Sequence, residues 1–203
     1  MISLLTYKRC TETDEDTIYQ AFQSGFSDYI IKMEIPKDLF IKRFFGPEGN
    51  SYEYSYIALD EEKPVGLILG GIKVYEGIKT LRCGALCVHP DHRGTEVAKR
   101  LFLLHKEIAL DHSCKQLFLE VIVGNDRAIH FYKKMGYEKI YDIVYYSNNQ
   151  LSDLKSALSN EVKIEKIDFE VLSTLRFETQ DIHINWQNDF DYTSHYDEQI
   201  YYG

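Results

Sequence analysis

The sequence predicts an α/β (α+β) fold, with a mixed central sheet of about six to seven strands, about four flanking helices and a C-terminal β-α segment. Two patterns support this prediction: β-prone apolar runs of strand length, and amphipathic runs in which apolar residues recur every three or four positions. With 44% apolar and 14% aromatic residues, the chain of 203 residues can form a packed core.

The order of these patterns places the elements along the chain. Apolar or alternating runs predict strands at 3–9, 54–59, 65–74, 81–88, 117–123 and 137–146. Helical spacing predicts helices at 13–29, 36–45, 97–112 and 126–135. Turn residues set the boundaries, since Pro36 can open a helix and Gly46 and Gly136 can each end one.

The stretch at 88–102 links a strand to a long helix through a short polar turn. The apolar run before it stops at Pro90, Gly94 lies inside the turn, and Val97 begins the amphipathic run. The first backbone N–H groups of such a helix have no partner within the helix, and the helix dipole favours an anion in front of them. This pattern predicts a phosphate or pyrophosphate site, to which Arg93 could add a charge-assisted contact.

A second stretch strengthens this interpretation. The pattern Val88-x-Pro90-x-x-Arg93-Gly94-x-x-Val97-Ala98 is followed, after another apolar run, by Asn125-x-x-Ala128-x-x-Phe131-Tyr132-x-Lys134-x-Gly136-Tyr137. Together, in this order and at this separation, they resemble the GNAT superfamily of acyl-CoA-dependent N-acyltransferases over residues 3–147. The resemblance implies the GNAT fold, in which the fourth and fifth strands are parallel and splay apart around the pantetheine arm of the cofactor.

The resemblance also implies a cofactor site for acetyl-CoA as co-substrate. The residues it assigns to that site are Leu86, Cys87, Val88, Arg93, Gly94, Thr95, Glu96, Val97, Ala98, Lys99, Asn125, Ala128, Phe131, Tyr132 and Lys134. The backbone of residues 86–88 would pair with the pantetheine amides as an added strand does. In the family the two N-terminal helices and the loop between them form the acceptor side of the cleft.

Two residues are catalytic candidates. Tyr132 occupies the position where the family places a tyrosine that serves the CoA sulfur, and a phenol protonated at neutral pH can donate to a leaving thiolate. Glu120, at the end of the fifth predicted strand, is the best-placed general base. Each has a structural alternative, a core aromatic for Tyr132 and a solvated strand-end carboxylate for Glu120. Asn125 can cap the helix that follows it while also serving the cofactor.

Glu96 departs from the family pattern, which usually has glycine there because the backbone approaches the pyrophosphate closely. Two interpretations compete. In the favoured one the backbone at 96 is already helical and the side chain turns to solvent, whereas in the other the carboxylate repels the anion and weakens acyl-CoA binding.

The favoured function is transfer of an acetyl group from acetyl-CoA to a primary amine, by direct attack in a ternary complex. The acceptor is a small-molecule or peptide amine that no motif identifies. One alternative is a catalytically weak GNAT-fold module that binds acyl-CoA or a protein partner. The other is a thiol enzyme using Cys87 with His89 or His92, although nothing in the sequence orients such a pair.

Composition excludes several partners. The net charge of −9 argues against a nucleic-acid partner and is compatible with a cationic amine. No apolar run approaches the length of a membrane span, and the cysteine spacing predicts free thiols, so a cytoplasmic protein without a membrane partner is expected. His89 and His92 have no third ligand spaced near them, so no metal site is predicted.

The domain boundary is predicted near 148: a GNAT N-acetyltransferase domain at 1–148 and an acidic, aromatic segment at 149–203. A linker at 148–153 precedes a predicted strand at 162–167 and a helix at 170–180. The segment is either the start of a second GNAT-like half or an arm that packs on the domain or in a homodimer. Its aromatic content predicts that Trp186 is buried.

Overall fold

The computed structural model describes residues 5–145, 165–178, 183–190 and 201–202, and it divides into two compact units, residues 1–130 and 131–203. The helices and strands that begin in the first unit are β1 (Leu5–Arg9), α1 (Glu15–Gly25), α2 (Lys37–Phe44), β2 (Ser51–Asp60), β3 (Lys63–Tyr75), β4 (Ile78–Val88), α3 (Val97–Asp111), β5 (Gln116–Leu119) and α4 (Asp126–Lys134). Those that follow in the second unit are β6 (Lys166–Ile167), α5 (Phe169–Glu178) and β7 (Tyr201–Tyr202).

The first unit is built on a five-stranded mixed sheet in the order β1-β2-β3-β4-β5. The first four strands are antiparallel neighbours, and β5 alone runs parallel to its neighbour β4. The hairpin turns carry residues with positive φ, including Glu61 and Gly77. This confirms the predicted α/β class and the parallel pairing of the fourth and fifth strands.

The two faces of the sheet bury separate cores. Helices α1 and α2 cover one face, where the buried residues include Ile18, Phe22, Phe40, Phe44, Leu67, Leu69, Ala85 and Cys87. Helix α3 covers the other face, where they include Ala58, Val65, Ile68, Leu81, Cys83, Val88, Val97 and Leu101. The start of α1 is fixed by Asp14, whose side chain accepts a hydrogen bond from the Thr17 amide (2.7 Å) as an N-cap.

Two strand predictions need correction. The fifth strand ends at Leu119 instead of Val123, and residues 137–145 form no regular strand despite their alternating pattern. An alternating segment becomes a strand only when a neighbouring strand supplies a hydrogen-bond ladder, and none of the strands the structure describes pairs with 137–145. The central sheet therefore has five strands where six to seven were predicted.

The second unit confirms the predicted β-α segment in its described part. Strand β6 pairs antiparallel with β7, and α5 follows β6 directly. Trp186 is 1% exposed, which confirms that this side chain is buried. The predicted linker at 148–153 lies outside the described residues. None of the helices within the described ranges is long and apolar enough to cross a membrane.

His105 is an unusual member of the α3 core. Its side chain is fully buried, and neither ring nitrogen has a hydrogen-bond partner among the residues the structure describes. The ring packs on β3, where a Cβ at Gly70 would lie 3.1 Å from its Cε1 atom. Burial lowers the pKa of His105 from 6.5 to about 3, because the charged imidazolium is poorly solvated there.

This histidine should make the fold sensitive to acid. Because its pKa is lower in the folded protein than in the unfolded chain, its contribution to stability is complete above about pH 6.5 and is lost as the pH falls toward 3. The variant His105→Leu should change the free energy of unfolding at neutral pH by less than about 1.5 kcal/mol. Denaturant unfolding between pH 7 and 4 should then show a flatter pH dependence than the wild type.

The exposed His130 provides the control, because His130→Gln leaves no buried imidazole changed. An unfolding free energy that falls as steeply with pH in His105→Leu as in the wild type would contradict this account of acid sensitivity.

Candidate functional site

The parallel strands β4 and β5 separate at the centre of the first unit. They pair from Thr80 opposite Gln116 to Cys83 opposite Leu119, and β5 then ends. At the same point β4 carries a bulge at Gly84, because Leu69 of β3 pairs with Ala85 while the next residue of β3 pairs with Cys83. Beyond the bulge, β4 has no strand partner on its β5 side among the described residues, so a wedge opens between the two strands.

Backbone groups of two predicted residues line this wedge. The His89 amide donates to Val65 O on β3 (2.8 Å), and antiparallel pairing alternates the direction of successive residues. The N–H and C=O groups of Leu86 and Val88 therefore face the wedge, and those of Cys87 face β3. An extended ligand in the wedge could add to β4 through residues 86 and 88 as a further strand does.

Cys87 itself is chemically inert in this position. Its thiol is buried and donates to Ala21 O (3.6 Å), and burial raises its pKa to about 12. His92 Nε2 lies 3.1 Å from Asp60 Oδ2, and His89 Nδ1 accepts from the Asp91 amide. The geometry therefore gives no support to the alternative of a thiol enzyme, which needs an accessible thiolate beside a base.

The turn at the open end of the wedge presents a row of free amides. Gly94 has a φ of +75°, and a Cβ there would meet no atom within 4 Å. Among the described residues, no acceptor is found for the backbone N–H groups of Gly94, Thr95, Glu96, Ala98 and Lys99. They stand at the N-terminus of the 15-residue helix α3, where the dipole favours negative charge. This backbone geometry suits an anion, which is what the sequence predicts for the turn.

Two side chains of this turn point elsewhere. The backbone of Glu96 is helical (φ −75°, ψ −3°), and its exposed carboxylate pairs with Lys99 (2.9 Å). This is the arrangement of the favoured interpretation, in which the carboxylate lies in solvent. Val97 is fully buried in the α3 core, so only its backbone can serve a ligand.

Arg93 is held by the end of α1. Its Nε donates to Val88 O (3.0 Å) and its Nη2 to Gly25 O (3.1 Å), and its fork grips both carboxylate oxygens of Asp28. The bonds to Arg93 hold the pKa of the Asp28 carboxyl below its ordinary value. The contact predicted between this side chain and a phosphate would have to be made from this clamped position.

The start of α4 brings Asn125 to the loop after α1. Asn125 Oδ1 accepts from the Ala128 amide (3.3 Å), which confirms the predicted N-cap. A surface pocket of about 330 Å³ is lined by Asp28, Tyr29, Ile30, Gly124, Asn125, Asp126 and Arg127. A larger pocket of about 730 Å³ runs along the segment between α1 and α2 and is lined by residues that include Tyr19, Phe26, Lys32 and Met33.

Glu120 lies at the point where the strands separate. Its Oε2 accepts from Arg82 Nη2 (2.9 Å), and its Oε1 is buried with no donor among the described residues. Glu48, carried by the loop after α2, is buried nearby and accepts from Arg43 Nε (2.7 Å). Sequence reasoning identified Glu120 but missed Arg82 and Glu48. An arginine inside the apolar run at 81–88 was a usable signal, because a buried cation needs an acidic partner.

The remaining predicted residues lie on α4. Ala128 belongs to the first unit, and Phe131, Tyr132 and Lys134 belong to the second. Tyr132 is half-buried, with its ring 5.5 Å from that of Phe131 and 5.7 Å from that of Tyr137. The Tyr137 amide donates to Tyr132 O (3.0 Å) where the helix ends. These contacts are compatible with a packing role and with a hydroxyl that serves a ligand.

Comparison with known proteins agrees with this geometry. The sequence model described as the Acetyltransferase (GNAT) family matches residues 16–137. N-alpha-acetyltransferase 30 of Schizosaccharomyces pombe is 27% identical over 118 residues, covering 56% of this chain and 75% of the relative. The protein of the same name from Saccharomyces cerevisiae is 29% identical over 126 residues, covering 57% of this chain and 68% of the relative.

Among solved structures, the NatC complex bound to Gag peptide and CoA contains a similar chain. It superposes with a TM-score of 0.55 at 20% identity, and the match covers 68% of this chain and 86% of that chain. At this identity the similarity establishes the fold.

The Arg93 clamp predicts local order at the end of α1. The variant Arg93→Gln loses the fork that holds Asp28 and Gly25, so backbone amides at 25–30 should exchange hydrogen faster, by about tenfold, when measured by mass spectrometry. Lys99→Gln is the control, because it breaks only the exposed pair with Glu96. Equal exchange at 25–30 in Arg93→Gln and wild type would show that the clamp does not order this segment.

Proposed function

This chain belongs to the GNAT acetyltransferase family, and on that premise we propose that it transfers the acetyl group of acetyl-CoA to the N-terminal α-amine of a peptide or protein. The row of unpaired amides at the start of α3, at the open end of the β4–β5 wedge, carries the acyl-CoA part of this proposal. The acceptor class is supported by the names of the two fungal relatives and by the peptide in the NatC complex.

The turn fits a diphosphate for a physical reason. Within the described part of the chain, its amides at 94–96, 98 and 99 lack acceptors, and no atom lies within 4 Å of where a Cβ at Gly94 would be. Oxygen anions of a diphosphate would satisfy these donors and gain from the helix dipole. In the wedge, the backbone groups of Leu86 and the Val88 amide would pair with the pantetheine arm, since Val88 O already accepts from Arg93 Nε. Asn125 would support the same arm from the start of α4.

Acetyl-CoA supplies an activated acetyl thioester, and side chains of the protein accept and donate the protons. An amine must be neutral to attack, so its ammonium form has to lose a proton. Glu120 is the proposed acceptor of that proton, because Arg82 holds one of its oxygens and leaves the other free of donors. Tyr132 is the proposed donor to the departing sulfur, a role that depends on its position in the family motif.

The pocket beside the segment between α1 and α2 is the proposed acceptor entrance. It is lined mainly by apolar and aromatic side chains, with Lys32 and Glu34 among them, and offers about 730 Å³. This volume lies within the range of about 300–1,000 Å³ that is usual for ligand pockets. The alternative of a catalytically weak binding module depended chiefly on Glu96, whose exposed carboxylate is paired with Lys99.

Binding of CoA tests the first part of the proposal. Isothermal titration should give an affinity in the micromolar range, and Glu96→Gly should bind equally well or more tightly, because the carboxylate lies outside the anion site. The absence of heat and of a thermal shift at millimolar CoA would contradict the site. Markedly weaker binding by Glu96→Gly would contradict the account of residue 96.

Acetyl transfer tests the acceptor and the role of Tyr132 together. Release of free thiol from acetyl-CoA should be faster with unblocked peptides than with the same peptides formylated at the N-terminus. Tyr132→Phe should lower kcat about tenfold or more while CoA affinity stays nearly unchanged, because only the hydroxyl is removed.

Three results would decide against this assignment. Turnover with aminoglycosides or other small amines but not with peptides would show that the acceptor belongs to a different class. Acetylation of lysine side chains in N-terminally blocked peptides would also exclude the α-amine. Unchanged kcat in Tyr132→Phe would return Tyr132 to a packing role.

A further inference from the structure

A cluster of buried charges lies where β4 and β5 separate. Arg82 is 3% exposed and Glu48 is 6% exposed, and the Glu120 side chain is also largely buried. Arg82 pairs with Glu120, and Glu48 pairs with Arg43 at the end of α2. Charges this deep are costly to desolvate and are rare unless paired, so their presence at the cleft calls for an explanation beyond stability.

Hydrogen bonds and two glycines of the sheet hold the loop that carries Glu48 against the sheet. The Glu48 amide donates to Arg43 O (3.1 Å), and the backbone and side-chain amides of Asn50 both donate to Phe44 O (3.2 and 2.8 Å). Under the loop, the sheet has glycines. A Cβ at Gly71 would overlap the Gly49 carbonyl oxygen, and one at Gly84 would overlap the Asn50 side chain. Glycine at these two positions lets the loop reach the bulge and bring Glu48 close to Arg82.

The three charged groups are within electrostatic reach of one another. Burial raises the pKa of Glu48, the positive charges of Arg43 and Arg82 lower it, and the negative charge of Glu120 raises it again. Arg82 on β4 donates to Glu120, and Arg43 of α2 donates to Glu48. Because all of these charges are close and buried, a change in the charge of one carboxylate acts on the other.

The pairing leaves Glu120 in a specific state. Its Oε2 is fixed by Arg82, whereas its Oε1 is buried and receives no hydrogen bond from the described residues. A carboxylate that is anchored through one oxygen and unoccupied at the other is prepared to take a proton from a bound donor.

We propose that Arg82 is a positioning residue for Glu120, and that the buried negative charge of Glu48 shifts the pH range in which Glu120 works. The inference rests on the proposed acetyl transfer. In that step the ammonium loses a proton to Glu120 Oε1, the neutral nitrogen forms a bond to the acetyl carbon, and the C–S bond breaks. The acid that serves the sulfur protonates the thiolate, and the second proton lost by the nitrogen restores that acid, so no further reactant is needed.

The pH dependence of turnover tests this arrangement. Removal of the Arg82 charge in Arg82→Gln should lower kcat by about tenfold or more, with KM for acetyl-CoA little changed. The acidic limb of the pH–rate profile should move to higher pH. Arg82→Lys should restore part of kcat and return the limb toward its wild-type position. Glu48→Gln should move the limb the opposite way, by about one pH unit, because a negative charge near Glu120 is removed.

The control is Glu53→Gln, which removes a carboxylate from an exposed position on β2 and should leave the profile unchanged. Profiles of Arg82→Lys, Arg82→Gln and Glu48→Gln that superpose on the wild type would overturn the proposal. If Arg82→Gln does not fold, the Glu48→Gln profile decides alone.

A second measurement separates this inference from the proposed function. Carbon-13 NMR of glutamate carboxyls, assigned with Glu120→Gln, follows the titration of Glu120 without any turnover. A titration of Glu120 at lower pH in Glu48→Gln than in wild type supports the coupling even if no acetyl transfer is found. An unchanged titration overturns it even in an active enzyme.

Discussion

The site depends on one backbone irregularity, the bulge at Gly84. It changes which side chains of β4 face each layer, since Cys83 packs on the α3 side whereas Ala85 and Cys87 pack on the side of α1. The pairing with β5 ends at the same point, so a wedge opens between the last two strands of the described sheet. Because the residue at the bulge has no side chain, the loop at 46–50 can also lie against the strand there.

The two ends of the wedge are fixed by arginines with different environments. At the closed end, Arg82 is buried and pairs with Glu120. At the open end, Arg93 joins the last residue of β4 to the end of α1 through Val88, Gly25 and Asp28. A guanidinium suits both places because its several donors bind backbone and carboxylate oxygens at once. One side chain thus connects the turn proposed for the cofactor to the segment proposed for the acceptor.

Patterns within a few residues predicted most of the fold. What they missed depends on contacts between residues that are far apart in sequence. Residue type and spacing within a few positions account for the N-cap at Asn125, the turn at Gly94 and helix α3. The strand predicted at 137–146 failed because alternation does not supply a neighbouring ladder. Glu48 lies in a loop far in sequence from Arg82, so no spacing rule could bring the two together. For Glu96, the backbone conformation was needed to decide where its carboxylate points.

The buried polar groups of the first unit fall into two kinds. His105 lies in the α3 core without a hydrogen-bond partner among the described residues, and burial keeps it neutral, so its cost is that of an unsatisfied ring. The cluster of Arg82, Glu48 and Glu120 carries charges on the opposite face of the sheet, where apolar residues of similar volume would be at least as stable. A charge cluster that stability does not require, placed where two strands separate beside the turn proposed to bind the diphosphate, is most simply explained by the chemistry proposed for the cleft.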